Sequence, residues 1–280
     1  MNIYHFLYED DAVTFSKMIP ESTLEAAASE FKSALNTAFN GLYDDVDAET
    51  YLQSVLENYG PTPINVKIDK SDEVVTCVLR EDILTLPTIE EGHIGIFSGD
   101  AAHLMFSDMS TELYSIRRGD CEQDPTYKQI IPYVILRHEG KYFAYKRLSG
   151  SGEQRLVNQI SIGVGGHMNL CPVDADLEAF ERVVTTEAMR ELHEELIIGK
   201  DVTVYFDPKS MHVLNDDVNK VGQVHIGIVY VVDLDSDDIR VRETESLEGG
   251  FVTEEYLMEN IDKLESWTKI FLENKRGATV

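Results

Sequence analysis

The stretch Arg190-Glu191-Leu192-His193-Glu194-Glu195 concentrates side chains that can hold a cation. At about 100° per residue on a helix, Glu187, Glu191, Glu194 and Glu195 gather on one face while Ala188, Leu192 and Leu196 line another. Like charges at i and i+4 weaken a helix by roughly 0.2–0.5 kcal/mol per pair, and Arg190, four residues before Glu194, is the cation best placed to offset them. Carboxylates on one rigid face suit a hard divalent ion such as magnesium, which keeps some of its water and shares substrate phosphates. Such an ion neutralises charge on a phosphoryl oxygen and acidifies the attacking water, and a carboxylate outside the metal shell can take the water's proton. Taken alone, the run reads as the solvated face of an acidic protein. Its surroundings give it weight.

The segment Ile160-Ser161-Ile162-Gly163-Val164 reads as part of a strand from Gln159 to Val164, and it runs into Gly165-Gly166-His167. Glycines there allow backbone carbonyls and amides to come close to an ion or a phosphate. The loop then leads to a long helix over about Leu177 to Ile198. Upstream, a strand at Ile130 to Arg137, a turn at His138-Glu139-Gly140 and a strand at Lys141 to Arg147 precede a glycine-rich loop at Gly150 to Gly152. Downstream, strands are expected near Val202 to Phe206, Met211 to Leu214 and Val224 to Val232, with a last helix from Thr253 to Glu273. Strands and helices alternate without a regular βαβ beat, which points to a mixed sheet between helices.

The first sixty or so residues read as helical. Ser22 and Glu25 form a capping box, followed by Leu24, Ala27, Ala28, Phe31, Leu35 and Phe39 on one face, and a second helix is expected over Asp47 to Tyr59. From Ile64 the pattern turns to strands, so the expected division is a helical extension at 1–62 and the main domain, with its leading β elements, at 63–280.

Asp and Glu number 51 against 24 Lys and Arg, a formal charge of -27. Such a surface repels a nucleic-acid backbone, yet a small anionic ligand can bind where metal ions screen the charge. The three cysteines, Cys77, Cys121 and Cys171, are too few and too scattered for a disulfide framework, which suits a reducing, cytoplasmic setting. A run of about eighteen apolar residues, the minimum for a membrane helix, is missing, and so is a basic-then-apolar leader. His167 and Cys171 lack a second matching pair, so a zinc site is not expected. Arg147 and Arg155 flank the loop before Gly165 and are suited either to phosphate or to surplus acid.

Gly165-Gly166-His167 followed by Arg190-Glu191-Leu192-His193-Glu194-Glu195 resembles the Nudix box: glycine, five residues, Glu, seven residues, then Arg-Glu-apolar-any-Glu-Glu-any-Gly-apolar. The likeness extends to Pro125–Tyr133, Ile160–Asn169, Val224–Val229, Leu247–Phe251 and Ser266-Trp267, which are similar to a bacterial branch of predicted Nudix phosphoesterases. The resemblance implies an α+β fold, a Nudix-type α/β/α sandwich with a mixed sheet, to which the helical N-terminal extension is added. It implies Glu191, Glu194 and Glu195 as carboxylates for Mg2+, with Mn2+ as a substitute, Arg190 as their orienting partner and a carbonyl of Gly165 or Gly166 completing the shell. Gly165, His167, Arg147 and Arg155 become candidates for substrate. The general base is Glu194 or one of Glu243, Glu245 and Glu248.

The implied reaction is hydrolysis of a phosphoanhydride in a nucleoside diphosphate linked to another group, such as ADP-ribose, a nucleotide sugar or a dinucleotide. A homodimer is compatible with it, and neither nucleic acid nor membrane is an expected partner. The sequence departs from the box in three ways: Gly166 lies about ten residues further from Arg190 than the pattern asks, Arg182 stands where a glutamate is expected, and Ile197 replaces the late glycine. The rival reading, motivated by that spacing, is a non-catalytic nucleotide-sensing or protein-interaction module on the same fold. A prenyl-diphosphate isomerase is disfavoured for want of a Cys and Glu pair to move protons.

Overall fold

The computed structural model of the chain describes residues 2–9, 13–21, 73–83, 94–147, 159–172, 176–242 and 247–277. Strands β1 (Asn2–Glu9) and β2 (Val13–Glu21) form a hairpin, followed by β3 (Val74–Leu79), β4 (Ile94–Phe97), helix α1 (Asp100–Thr111) and β5 (Tyr114–Arg117). Next come β6 (Tyr127–His138), β7 (Lys141–Arg147), β8 (Ile160–Ser161), β9 (Gly163–Gly165) and β10 (Leu170–Pro172), which lead to helix α2 (Leu177–Glu195). Beyond it are β11 (Leu196–Ile198), β12 (Met211–Asp216), β13 (His225–Asp233), β14 (Ile239–Val241) and β15 (Leu247–Val252), then α3 (Glu254–Glu259) and α4 (Ser266–Gly277).

The main sheet runs β15-β7-β6-β13-β12-β4, with β6 and β13 parallel and their neighbours antiparallel. Alternation along β6 sends Ile130, Val134 and Leu136 into one core, with Phe180, Val184, Ala188 and Leu192 of α2 and Met105 and Phe106 of α1. Tyr133 and Ile135 point to the opposite core, with Leu257 of α3 and Phe271 and Leu272 of α4. Helices thus cover both faces of a mixed sheet, the expected α/β/α sandwich. Among the described residues, no helix is long and apolar enough to cross a membrane.

The chain departs from the sequence expectations in several places. Residues 2–21 are mostly strand, not helix, and β2 continues the hairpin into β10 through Leu170↔Phe15, Cys171↔Thr14 and Pro172↔Val13. The expected helices after Ser22 and Asp47, and the boundary near residue 62, lie outside the described residues. Val202 to Phe206 joins no ladder; Val202, Val204 and Phe206 alternate because one side packs on the α2-side core. The expected strand over Gln159 to Val164 divides at Ile162 because its halves pair with different strands, β8 with β7 and β9 with β6. The last helix likewise divides, at Asn260, where the chain passes through a short 3-10 turn at Ile261–Lys263.

Candidate active site

Helix α2 begins where the Asp176 carboxylate accepts a hydrogen bond from the Ala179 amide at 2.8 Å. Its apolar stripe, Phe180, Val183, Val184, Ala188 and Leu192, is buried, which fixes the rotation of the helix and hence the direction in which its glutamates point. It ends without a left-handed residue: Leu196 has φ -121 and ψ 154 and the chain passes straight into β11. This accounts for Ile197 at the position of the late glycine, since only a positive φ would require glycine there. Arg242 closes the end, its guanidinium donating to the carbonyls of His193 at 3.0 Å and Leu196 at 3.1 Å and its amide to that of Glu195 at 2.8 Å. That cap, 46 residues from Leu196, escaped the sequence reading.

Arg190 is the hub. Its Nη2 lies 2.7 Å from Glu187 Oε2 and 2.8 Å from Glu191 Oε1, its Nη1 lies 3.1 Å from Glu194 Oε2, and Nη2 also donates to the His167 carbonyl at 2.8 Å. Burial opposes the guanidinium's charge, but Glu187, Glu191 and Glu194 hold its pKa well above the usual arginine value. Arg190 thus ion-pairs with three of the four glutamates of the expected acidic face. The same contacts tie the helix to the glycine loop.

The four glutamates do not form one open face. Glu187 is 1% exposed, and its Oε2 also accepts from the Asn169 amide at 3.2 Å, so it works as a brace between helix and loop. At position 182, where a glutamate is expected, Arg182 instead points outward and pairs with Glu178 at 3.5 Å. Glu191 is partly buried against the loop. Burial raises its carboxyl pKa to about 7; Arg190 pulls the other way, and the charges of Glu194, Glu195 and Glu187 add to the rise. Glu194 is half exposed at 50%.

Gly166 explains why a glycine is needed. A Cβ built there would lie 2.2 Å from Glu191 Oε1, so the carboxylate occupies space that any other residue would fill. At Gly165, opposite Tyr133 in the β6–β9 pairing, a Cβ would lie 2.2 Å from the Pro132 carbonyl oxygen. At Gly163 the obstacle is the Tyr133 ring, 1.8 Å away. These close approaches set the path of the loop.

The His167 side chain meets His225, Nε2 to Nε2 at 3.1 Å. His225 Nδ1 faces the Val221 carbonyl at 2.7 Å and must donate to it, which makes Nε2 of neutral His225 the acceptor and His167 the donor. Burial lowers the pKa of His225 and favours that neutral form. Beside it, buried Lys128 donates to Asp217 at 2.9 Å and to the carbonyls of Gly222 at 2.8 Å and His225 at 3.1 Å, while Arg80 pairs with Asp217 at 3.0 Å. Burial lowers the Lys128 pKa to about 8 against the pull of Asp217. This knot holds the start of β13 and with it His225. Nothing in the local sequence pattern marked it.

Of the remaining candidates, Arg155, Glu243 and Glu245 lie outside the described residues. Arg147 ends β7 opposite Leu247, and Glu248 is exposed on β15 opposite Lys146. The structure thus brings together Gly165, Gly166, His167, Arg190, Glu191 and Glu194. Glu195 follows at the last residue of α2. Among the described residues, no trio of His, Cys, Asp or Glu side chains already converges on one ion, because three carboxylates are turned onto Arg190.

No family profile matches the chain. It is 34% identical over 209 residues to Protein YmaB of Bacillus subtilis (strain 168), a match that spans 73% of this chain and 98% of that protein. Among solved structures, the crystal structure of Tm1382, a candidate Nudix hydrolase, is similar with a TM-score of 0.55 at 24% identity, covering 72% of this chain and 97% of that one. The chain belongs to the family of Protein YmaB and is built on the Nudix hydrolase fold.

Proposed function

We propose that the chain is a metal-dependent hydrolase that cuts a phosphoanhydride in a nucleoside diphosphate linked to another moiety. The observation that carries this reading is the space left by Gly166, which admits a carboxylate whose charge is only partly balanced. Around one guanidinium stand Glu187, Glu191 and Glu194, so the cluster is over-supplied with negative charge. Hard oxygen donors with surplus charge fit a divalent cation such as Mg2+. Glu191, Glu195 and the Gly166 carbonyl are the donors proposed for it, and Glu194 is either a further donor or, outside the shell, the base. Once bound, the cation supplies charge neutralisation at the phosphate and acidifies the attacking water.

The protein's own residues do the rest. Arg190 holds Glu191 against the loop and fixes the His167 carbonyl, so that helix and loop keep one geometry. Glu187, sealed beneath, is a brace and takes no part in proton transfer. Glu194, half exposed and on a single ion pair with Arg190, can swing toward a water and accept its proton. Glu248 and the residues at 243 and 245 are the alternative bases. His167, hydrogen-bonded to His225, offers its imidazole beside the loop as a polar contact for substrate.

The direct test incubates a panel of nucleoside diphosphate derivatives with the native chain and Mg2+, following products by mass spectrometry. At least one should be split into a nucleoside monophosphate and a phosphorylated partner. Glu195→Gln, with its circular dichroism unchanged, should lose turnover by about 100-fold or more. Binding of a nucleotide by titration calorimetry with no product from any substrate would instead favour the sensing module.

A further inference from the structure

Cys77 in β3 and Cys121, at the end of the helical turn Arg118–Cys121, are 44 residues apart in sequence, yet their sulfurs lie 3.1 Å apart. Both are reduced and buried, at 0% and 1% exposure. They sit in a small core of their own with Val75, lined by Tyr114, Ile116 and Tyr127, separate from the two main cores. A disulfide needs an S–S distance of about 2.05 Å, so an approach of about 1 Å joins them. We propose that Cys77 and Cys121 are a site of reversible oxidation that closes to an intramolecular disulfide when a hydroperoxide reaches the pair.

Buried thiols are usually inert, so access must be explained. The cover over Cys121 is thin: the short turn that carries it is followed by five residues, Glu122 to Thr126, that are all exposed. This small satellite core shares no residue with the two main cores, and local openings of small clusters have low free energies. The sulfur contact also activates one partner. The hydrogen bond with Cys77 lowers the Cys121 pKa, outweighing its burial, and so favours the Cys121 thiolate as the nucleophile.

The chemistry balances. The Cys121 thiolate attacks one oxygen of the hydroperoxide; the S–O bond forms as the O–O bond breaks, and the other oxygen leaves as alcohol or water after taking a proton. Cys77 then attacks the Cys121 sulfur, the S–S bond forms, and hydroxide departs with the Cys77 proton as water. Two thiols lose two electrons and the peroxide gains them. A dithiol reverses the reaction by exchange.

The pair is also placed to matter for the site. In β3 the Thr76 amide donates to the Met168 carbonyl at 2.9 Å, and Val74 offers its carbonyl to Asn169 Nδ2 at 3.0 Å, so this strand holds the loop that follows Gly166 and His167. Arg118 binds the same turn to Glu73 at 3.2 Å, just before β3. A disulfide would therefore clamp the strand that supports the loop.

The test uses the full chain carrying Cys171→Ser, so that Cys77 and Cys121 are its only cysteines. After hydrogen peroxide treatment and alkylation, the intact mass should show loss of both alkylation sites together with about 2 Da, the mass of two hydrogens. A non-reducing digest should contain a peptide joining Cys77 to Cys121, and dithiothreitol should restore both thiols. Exchange of the Thr76 amide should slow several-fold, and the thermal midpoint should rise by several degrees. The idea is overturned if both thiols remain alkylatable at peroxide doses that oxidise the urea-unfolded chain, or if oxygen accumulates on single sulfurs with no cross-link.

Discussion

Two knots of buried charge lie within reach of the same glycine loop, and they are built on opposite principles. Around Lys128, cations and anions are matched: Lys128 and Arg80 face Asp217, the charge of Asp216 acts on Lys128 as well, and backbone carbonyls satisfy the remaining lysine protons. Around Arg190 they are not, because Glu187, Glu191 and Glu194 share a single guanidinium. A balanced buried pair is a fixture whose partners cannot be removed one at a time. An unbalanced one stores a demand for positive charge. The contrast separates a charge cluster that holds the fold from the one proposed to hold a cation, without reference to sequence motifs.

The two knots should respond to pH with opposite slopes. Hydrogen bonds and charge from Lys128, Asn215 and Arg80 outweigh burial and depress the Asp217 pKa, so its stabilisation is full above the unfolded carboxyl value and is lost as the pH falls through the lower folded one. Glu191 behaves in reverse. With a folded pKa of about 7 against an ordinary 4.5, the native state holds its proton longer, and metal-free stability falls as the pH rises across that window.

The largest effect is expected from Asp217→Ala, which leaves Lys128 buried without its carboxylate. Loss of about 3–5 kcal/mol in urea unfolding at neutral pH is the expectation, with no rescue by Mg2+; a loss below about 1 kcal/mol would place Asp217 among ordinary surface pairs. Next comes Glu191→Gln, for which the sign should invert. Without metal at pH 8, removal of the penalised carboxylate should stabilise the chain by on the order of 2 kcal/mol, and the variant should lose the stability that Mg2+ gives the native chain. If Glu191→Gln is destabilising at pH 8 and neutral at pH 5, the unbalanced-charge reading is wrong.

The smallest change in stability, under about 1 kcal/mol, is expected for Gly166→Ala, because the new methyl meets only the movable end of Glu191. Its effect should appear instead in the Mg2+ titration, as a midpoint raised about tenfold or more. An unaltered midpoint would show that the space beside Gly166 is incidental to cation binding.

Periodicity made the site helix legible, since Phe180, Val184, Ala188 and Leu192 recur at the spacing of one buried face and so fix where the glutamates point. The turn at Glu139-Gly140 was equally readable, and both residues take positive φ, 47 and 77. Other features rest on contacts that no local window contains. Asp217 reaches Lys128 across 89 residues, and the role of Glu187 as a brace depends on an amide of the loop. The N-terminal hairpin carried a signal that helical reading overrode: Ile3, Tyr4, Phe6 and Tyr8 are β-branched or aromatic residues of the kind enriched in strands. Val202 to Phe206 shows the converse limit. Alternation reports that one side is buried and cannot by itself report a hydrogen-bonded neighbour.

The Arg242 cap has a consequence for how this scaffold can be altered. Residue 242 is pinned to the last carbonyls of the glutamate helix, and residue 247 is pinned opposite Arg147 on β7. A substitution between these two pins leaves the backbone contacts of both in place, so the helix end and the β7–β15 register can be kept while that stretch of sequence is varied.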